Sequence, residues 1–307
     1  MSSASLNRTT IIALFILCLS VTLAAQSVEV PFDFVHNEII VKVTIDGKGP
    51  FNAMIDTGTD PSALDIATAR QVGIKIGSTA HKSSGGGTTA NLNYACKLST
   101  LGVGTISAND VDAAAIDLSK VSERMGIHID AVLGYSFLKK RIVQFDYPSF
   151  VVRFLDRSTA LNAGNAVTLP FRYKDDVLID GVEVNGRPVV ANLDTGSSGT
   201  FQLSPHAITQ LGLSEEAARG KVNTSIGYNG AFENREGTIK NIAIGTISID
   251  SPTVLFFGAG TGHDAAPWSI NIGNAFLKDY VVTVDYVAKT VTFAPFKPKE
   301  FDRLIRE

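Results

Sequence analysis

Cysteine, tryptophan and methionine are scarce in this chain, with two, one and three copies among 307 residues. Cys18 falls in an N-terminal apolar stretch, which leaves Cys96 as the sole thiol beyond it. That excludes an internal disulfide in the remainder, so the fold has to rest on its core. No Cys-His arrangement marks Cys96 as a nucleophile, and it reads as a small buried hydrophobe. Blocks of like charge are absent and the formal net charge is −3, a balance that argues against nucleic acid or a strongly anionic membrane as partner. No apolar run reaches the roughly 18–20 residues that span a bilayer. The histidines, His36, His81, His128, His206 and His263, lack metal-ligand spacing. Gly258-Ala259-Gly260-Thr261-Gly262 lacks the Gly-Lys-Ser/Thr ending of a phosphate loop and reads as a mobile loop. Neither a metal nor a cofactor is implied.

What is present begins with a targeting segment. Arg8 supplies a positive start, Ile11 to Leu23 an apolar stretch and Ala24-Ala25 the small residues before a cut. Residues 1–25 are therefore expected to be a signal peptide, with export to the periplasm or beyond and no stable membrane insertion after cleavage. The rest is rich in Val, Ile, Thr and Phe segments punctuated by glycine, the pattern of an all-β chain.

That remainder contains itself twice. Val30-Pro31-Phe32 returns as Leu169-Pro170-Phe171, Asp46-Gly47 as Asn185-Gly186, and Gln71-Val72-Gly73 as Gln210-Leu211-Gly212. Leu133 to Tyr147 returns as Ile272 to Tyr286. The spacing changes only at hairpin tips and loops, where insertions are tolerated. Two homologous units follow, at 26–157 and 166–298, with a linker at 158–165 and a charged tail at 299–307. Each opens with a hairpin, Glu38 to Val43 with Phe51 to Ile55 and Val177 to Val184 with Val189 to Leu193, turned at Asp-Gly or Asn-Gly. A short helix is expected after each hairpin. Asp60, Pro61 and Gly73 bound it in the first copy; Ser204, Pro205 and Gly212 bound it in the second.

The second strand of each hairpin runs into the same tripeptide, Asp56-Thr57-Gly58 and Asp194-Thr195-Gly196, followed by Thr59 and Ser197. One Asp-Thr-Gly is weak evidence, since aspartates favour turns. The same tripeptide at one place in both halves of a duplication is far stronger. If the halves meet about a pseudo-two-fold axis, Asp56 and Asp194 come together. Two such carboxylates cannot both ionise cheaply, so the pair holds a proton over a wide pH range. One can then accept a proton from water while the other donates one to the carbonyl of the scissile bond. Gly58 and Gly196 permit close backbone approach. The hydroxyls of Thr57, Thr59, Thr195 and Ser197 can bond the carboxylates or nearby backbone.

On these motifs both copies resemble aspartic peptidases of the retropepsin and pepsin type, nearest to bacterial single-chain proteins with tandem retropepsin-like domains. The resemblance covers nearly the whole chain after residue 25. It implies an all-β, bilobal fold with the cleft between two homologous lobes, and an aspartic endopeptidase acting on a polypeptide substrate, active as a monomer, with Asp56 and Asp194 as the dyad. It also implies that Val132-Leu133-Gly134 and Ile272-Gly273 pass behind the aspartates as supporting segments. Asn271 departs from that pattern, because an apolar residue is usual there. Candidate flaps are His81 to Tyr94, with Gly85-Gly86-Gly87 at its tip, and Lys221 to Gly237, with Tyr228 at its tip. The alternative is a catalytically silent peptide-binding protein on the same scaffold. The few residues between the cut and the first strand leave no room for a basic pro-segment. Residues 26–307 are therefore expected to hydrolyse peptides without trimming; purified chain that gains activity only after N-terminal cleavage is the contrary result.

Overall fold

The computed structural model describes residues 27–82, 85–89, 91–157, 159 and 164–296. The expected signal peptide, most of the linker and the charged tail lie outside the described residues. Strands hold 54% of the described residues against 13% in helices, so the fold is all-β and the short helices only turn corners.

The opening hairpins form where the sequence places them, as Glu38–Ile45 with Lys48–Ile55 and Val177–Val184 with Arg187–Asp194. Their tips, Asp46-Gly47 and Asn185-Gly186, have positive φ at both residues, the mirror-image turn whose twist matches that of paired strands. Val41, Val43 and Ile45 point inward while Lys42 and Thr44 point out, the period-two pattern of a half-buried strand. Each hairpin delivers an aspartate at the end of its second strand. A later strand then runs parallel beside it: Ala131–Leu133 pairs with Ala53 to Ile55, and Ile270–Gly273 with Ala191 to Asp194. A third short strand, Ser62–Asp65 or Phe201–Leu203, comes back antiparallel on the far side of that one.

The second helix, Pro205–Leu211, starts after Ser204 and stops at Gly212 as expected. The first begins later than expected. The chain leaves Pro61 as the strand Ser62–Asp65, and the helix Ile66–Val72 is capped by Asp65, whose carboxylate accepts from the amides of Ala67 and Thr68. Asp60 is not the cap, because a strand that pairs with Ala131–Leu133 intervenes. Gly73 ends the helix in the left-handed conformation.

The two lobes share one sheet beneath the hairpins. Val28–Pro31, Val151–Leu155 and Ile142–Asp146 from the first copy continue into Tyr280–Asp285, Thr290–Pro295 and Val167–Tyr173 from the second. At its centre Ile142–Asp146 lies antiparallel to Tyr280–Asp285, and Gln144 pairs with Thr283. Val143, Phe145, Val282, Val284 and Phe293 are buried on this sheet and belong to one hydrophobic core that runs through both lobes. Continuity of that core implies that the lobes unfold together. The chain carries a natural probe in each, since Cys96 is buried in the first lobe and Trp268 in the second. Thiol labelling of Cys96 and fluorescence of Trp268 should report the same urea midpoint; two separated midpoints would mean independent lobes.

Candidate active site

The parallel strands carry Asp56 and Asp194 to the same point between the lobes, and two threonines lock them there. The Thr57 hydroxyl donates to the Leu193 carbonyl (2.6 Å) and accepts from the Thr195 amide (3.0 Å). Reciprocally, the Thr195 hydroxyl donates to the Ile55 carbonyl (2.8 Å) and accepts from the Thr57 amide (3.1 Å). Each threonine therefore satisfies backbone groups of the opposite lobe, not its own carboxylate. Both are buried, where an unmade hydrogen bond is costly.

Gly58 and Gly196 donate their amides to Oδ1 of Asp56 (2.7 Å) and of Asp194 (2.9 Å). A methyl group at Gly58 would sit 3.3 Å from Asp194 Oδ1 and 3.4 Å from Asp56 Oδ1, so the inner oxygens of both carboxylates flank one small space. At Gly196 any side chain would run into the Asp56 carboxylate. Only glycine fits there. Burial, and next the Asp56 charge, push the Asp194 carboxyl well above the usual range, while the Asn271 amide and the Gly196 amide pull the other way. This is the like-charge frustration that makes such a pair hold a proton.

Behind the pair, Asp56 donates its amide to the Leu133 carbonyl (3.0 Å). Val132, Leu133 and Ile272 are fully buried. Gly134 and Gly273 lie against the backbone of Thr59 and of Ser197 and Gly199, leaving no room for a Cβ. The family model for aspartyl proteases matches the chain twice, over residues 41–137 and 181–274. The chain belongs to the aspartyl protease family. No curated protein matches it.

In this member of the aspartyl protease family the second oxygens of the two aspartates are treated differently. Asp56 Oδ2 accepts from the Thr59 hydroxyl (2.6 Å) and the Tyr228 hydroxyl (3.1 Å). Asp194 Oδ2 accepts from the Asn271 side-chain amide (2.7 Å). Ser197, the counterpart of Thr59, does not reach Asp194; its hydroxyl is taken by Gln202 Nε2 (2.6 Å). Asn271, read from sequence as a departure from pattern, is thus a direct partner of the dyad, and Gln202 and Asn192 hold it.

The glycine-rich tip of the first lobe and the hairpin Lys221–Gly227 with Gly230–Thr238 of the second meet above the aspartates. Asn229 donates to the Gly86 carbonyl (2.9 Å), the Thr89 amide donates to the Asn229 carbonyl (3.0 Å) and the Gly87 amide to the Thr261 carbonyl (3.0 Å). Gly86 lies against Phe232 and His263, and Gly85 against Tyr228. The 258–262 segment read as a mobile loop is therefore the seat for the first flap. Tyr228 packs against an apolar wall that includes Met54, Leu118 and Val132. Burial, and then the Asp56 charge, push its phenol well up, so it stays a donor.

Glu38 and Arg124 form a further pair that sequence reasoning missed. Glu38 is fully buried, its Oε1 3.0 Å from Arg124 Nη2. Arg124 also donates to Ser198 Oγ of the second lobe (3.2 Å). Burial pushes the Glu38 carboxyl well up against the pull of Arg124, and the Asp194 and Asp56 charges push the same way.

The crossed threonines generate a stability prediction. Thr57→Val orphans the Leu193 carbonyl and the Thr195 amide, and should cost about 2–4 kcal/mol. Thr57→Ser keeps the hydroxyl and should cost less. Urea unfolding measures both; a loss below ~1 kcal/mol for the valine variant would mean the crossed bonds do not hold the lobes.

Proposed function

We propose that this aspartyl protease is an endopeptidase in which Asp56 and Asp194 together activate a water against a peptide bond of an exported polypeptide. The reading is carried by one observation: the reciprocal threonine bonds hold two carboxylates around a common space, which Oδ1 of each borders. With one proton on the pair, the ionised carboxylate takes a proton from water as the water oxygen bonds to the carbonyl carbon. The protonated carboxyl gives its proton to the carbonyl oxygen. Collapse of the resulting diol breaks the C–N bond, the amine leaves with a proton, and the pair returns to its starting charge. Both carboxylates come from one chain, which suits a monomer.

Substrate access requires a movement. Tyr228 bonds Asp56 Oδ2, and the two flaps are tied by main-chain and side-chain hydrogen bonds. A bound peptide replaces the Tyr228 contact and opens those ties. Export is read from the signal-like segment of Arg8, the apolar stretch Ile11 to Leu23 and Ala24-Ala25.

Asp56→Asn and Asp194→Asn should each lower peptide hydrolysis by about 10³-fold or more, because an amide cannot exchange the proton. Stability should move the other way. The raised Asp194 carboxyl contributes stability that is whole below its unfolded value near ~4 and lost as pH rises through its folded value. Removing that charge relieves the loss, so Asp194→Asn should melt at an equal or higher temperature than the native chain at pH 7, with a smaller difference at pH 4. Peptide cleavage read by mass spectrometry, beside melting curves at both pH values, checks this. Retained cleavage by either variant would sink the proposed chemistry.

A further inference from the structure

Strand register matches the cleft-facing positions of one lobe to those of the other. In the first lobe Ile40 pairs with Met54, Met54 with Val132, and Val132 with Ala63. In the second, Leu178 pairs with Asn192, Asn192 with Asn271, and Asn271 with Gln202. Three adjacent apolar residues, Met54, Ala63 and Val132, thus stand where the other lobe has three amides. The amides are almost wholly buried. Burying polar groups costs free energy unless their bonds are made, so this cluster needs a reason.

The hydrogen bonds supply one. Asn192 Nδ2 donates to Asn271 Oδ1 (2.8 Å); Asn271 Nδ2 donates to Asp194 Oδ2 (2.7 Å) and to Gln202 Oε1 (2.6 Å); Gln202 Nε2 donates to Ser197 Oγ (2.6 Å). The direction of the chain follows from its end: Asp194 Oδ1 borders the space shared with Asp56, where the proton of the pair is held, which leaves Oδ2 to accept. Asn271 must present its NH2 group to Asp194. Its carbonyl then needs a donor, which Asn192 provides, and its second N–H needs an acceptor, which Gln202 provides. Gln202 in turn holds the Ser197 hydroxyl away from Asp194.

Resting on the reading of Asp56 and Asp194 as the reacting pair, we propose that Asn271, oriented by Asn192 and Gln202, is the positioning residue of Asp194, doing in the second lobe what the Thr59 hydroxyl does for Asp56. An N–H donor fixes the carboxylate plane and favours the charged form. It offsets part of what burial and the neighbouring aspartate impose on Asp194. The two lobes reach one end by different chemistry, a hydroxyl in one and an amide relay in the other.

The test gives the second lobe the residues of the first. Asn271→Val removes the donor, and Asn192→Met leaves every atom that touches Asp194 in place but removes the group that orients it. The readout is the carbon-13 carboxyl titration of Asp194, assigned with Asp194→Asn, beside the pH profile of peptide cleavage. Asn271→Val should move the Asp194 titration up by about one pH unit, the size of one charge-assisted bond. The cleavage profile should move in the same direction, with kcat/KM reduced about tenfold. Asn192→Met should shift both by less, and it carries the test if the valine variant does not fold. Titrations at the native position in both variants, or a downward shift, would overturn the proposal. A native chain that cleaves no peptide would instead defeat the peptidase reading, while the carboxyl titration would still decide the role of Asn271.

Discussion

The structure hangs on two hydroxyls that cross between lobes. Thr57 and Thr195 each bond the backbone that precedes and follows the other aspartate. Because every group involved is buried, the four bonds hold only if both loops sit at one separation and one angle. Other parts of the site follow from that constraint. Glycine is needed at position 196 because the opposite carboxylate lies against it, and the parallel strands behind the loops keep each aspartate from withdrawing. The shared sheet below the lobes serves the same end, since it fixes the rotation of one lobe on the other.

Above the pair the contacts are of a different kind. The flaps are joined by main-chain bonds around glycines and by the polar side chains of Thr88, Thr89, Asn91 and Asn229, with few apolar side chains between them. Such contacts open at a lower cost than a packed core. The lower half of the molecule is rigid where the carboxylates must be placed. The upper half is closed by bonds that a peptide backbone can replace in kind. Tyr228 belongs to both, with its ring on the apolar wall of the first lobe and its hydroxyl on Asp56.

Much of this was legible before any coordinates. The internal repeat gave two lobes, turn dipeptides placed both hairpins, and the doubled Asp-Thr-Gly located the aspartates. The first helix cap was misplaced at Asp60 because a four-residue strand is too short to announce itself by alternation. Glu38 and Arg124 meet only in the folded chain, far apart in sequence, and carry no local signal. Which strands of the two copies would pair in the shared sheet was also beyond a repeat comparison. The amide cluster is a different case. Comparing the copies position by position sets Met54 against Asn192, Ala63 against Gln202 and Val132 against Asn271. A single departure at Asn271 reads as imperfect packing, whereas three departures of one chemical type on one face read as a network.

The pairing of Gln144 with Thr283 carries a consequence for how such a molecule can change. These residues are counterparts in the repeat, so the pseudo-two-fold axis passes through their pair and also between Thr57 and Thr195. Two separate copies of one lobe could meet about that axis by the same contacts, residue against identical residue. In such an assembly every substitution appears twice, and a residue that helps one aspartate acts equally on the other. Joining the copies in one chain lifts that restriction. A tyrosine can reach one aspartate only, an amide relay can hold the other, and the two members of a chemically identical pair can drift apart in character while the scaffold that aligns them stays symmetric.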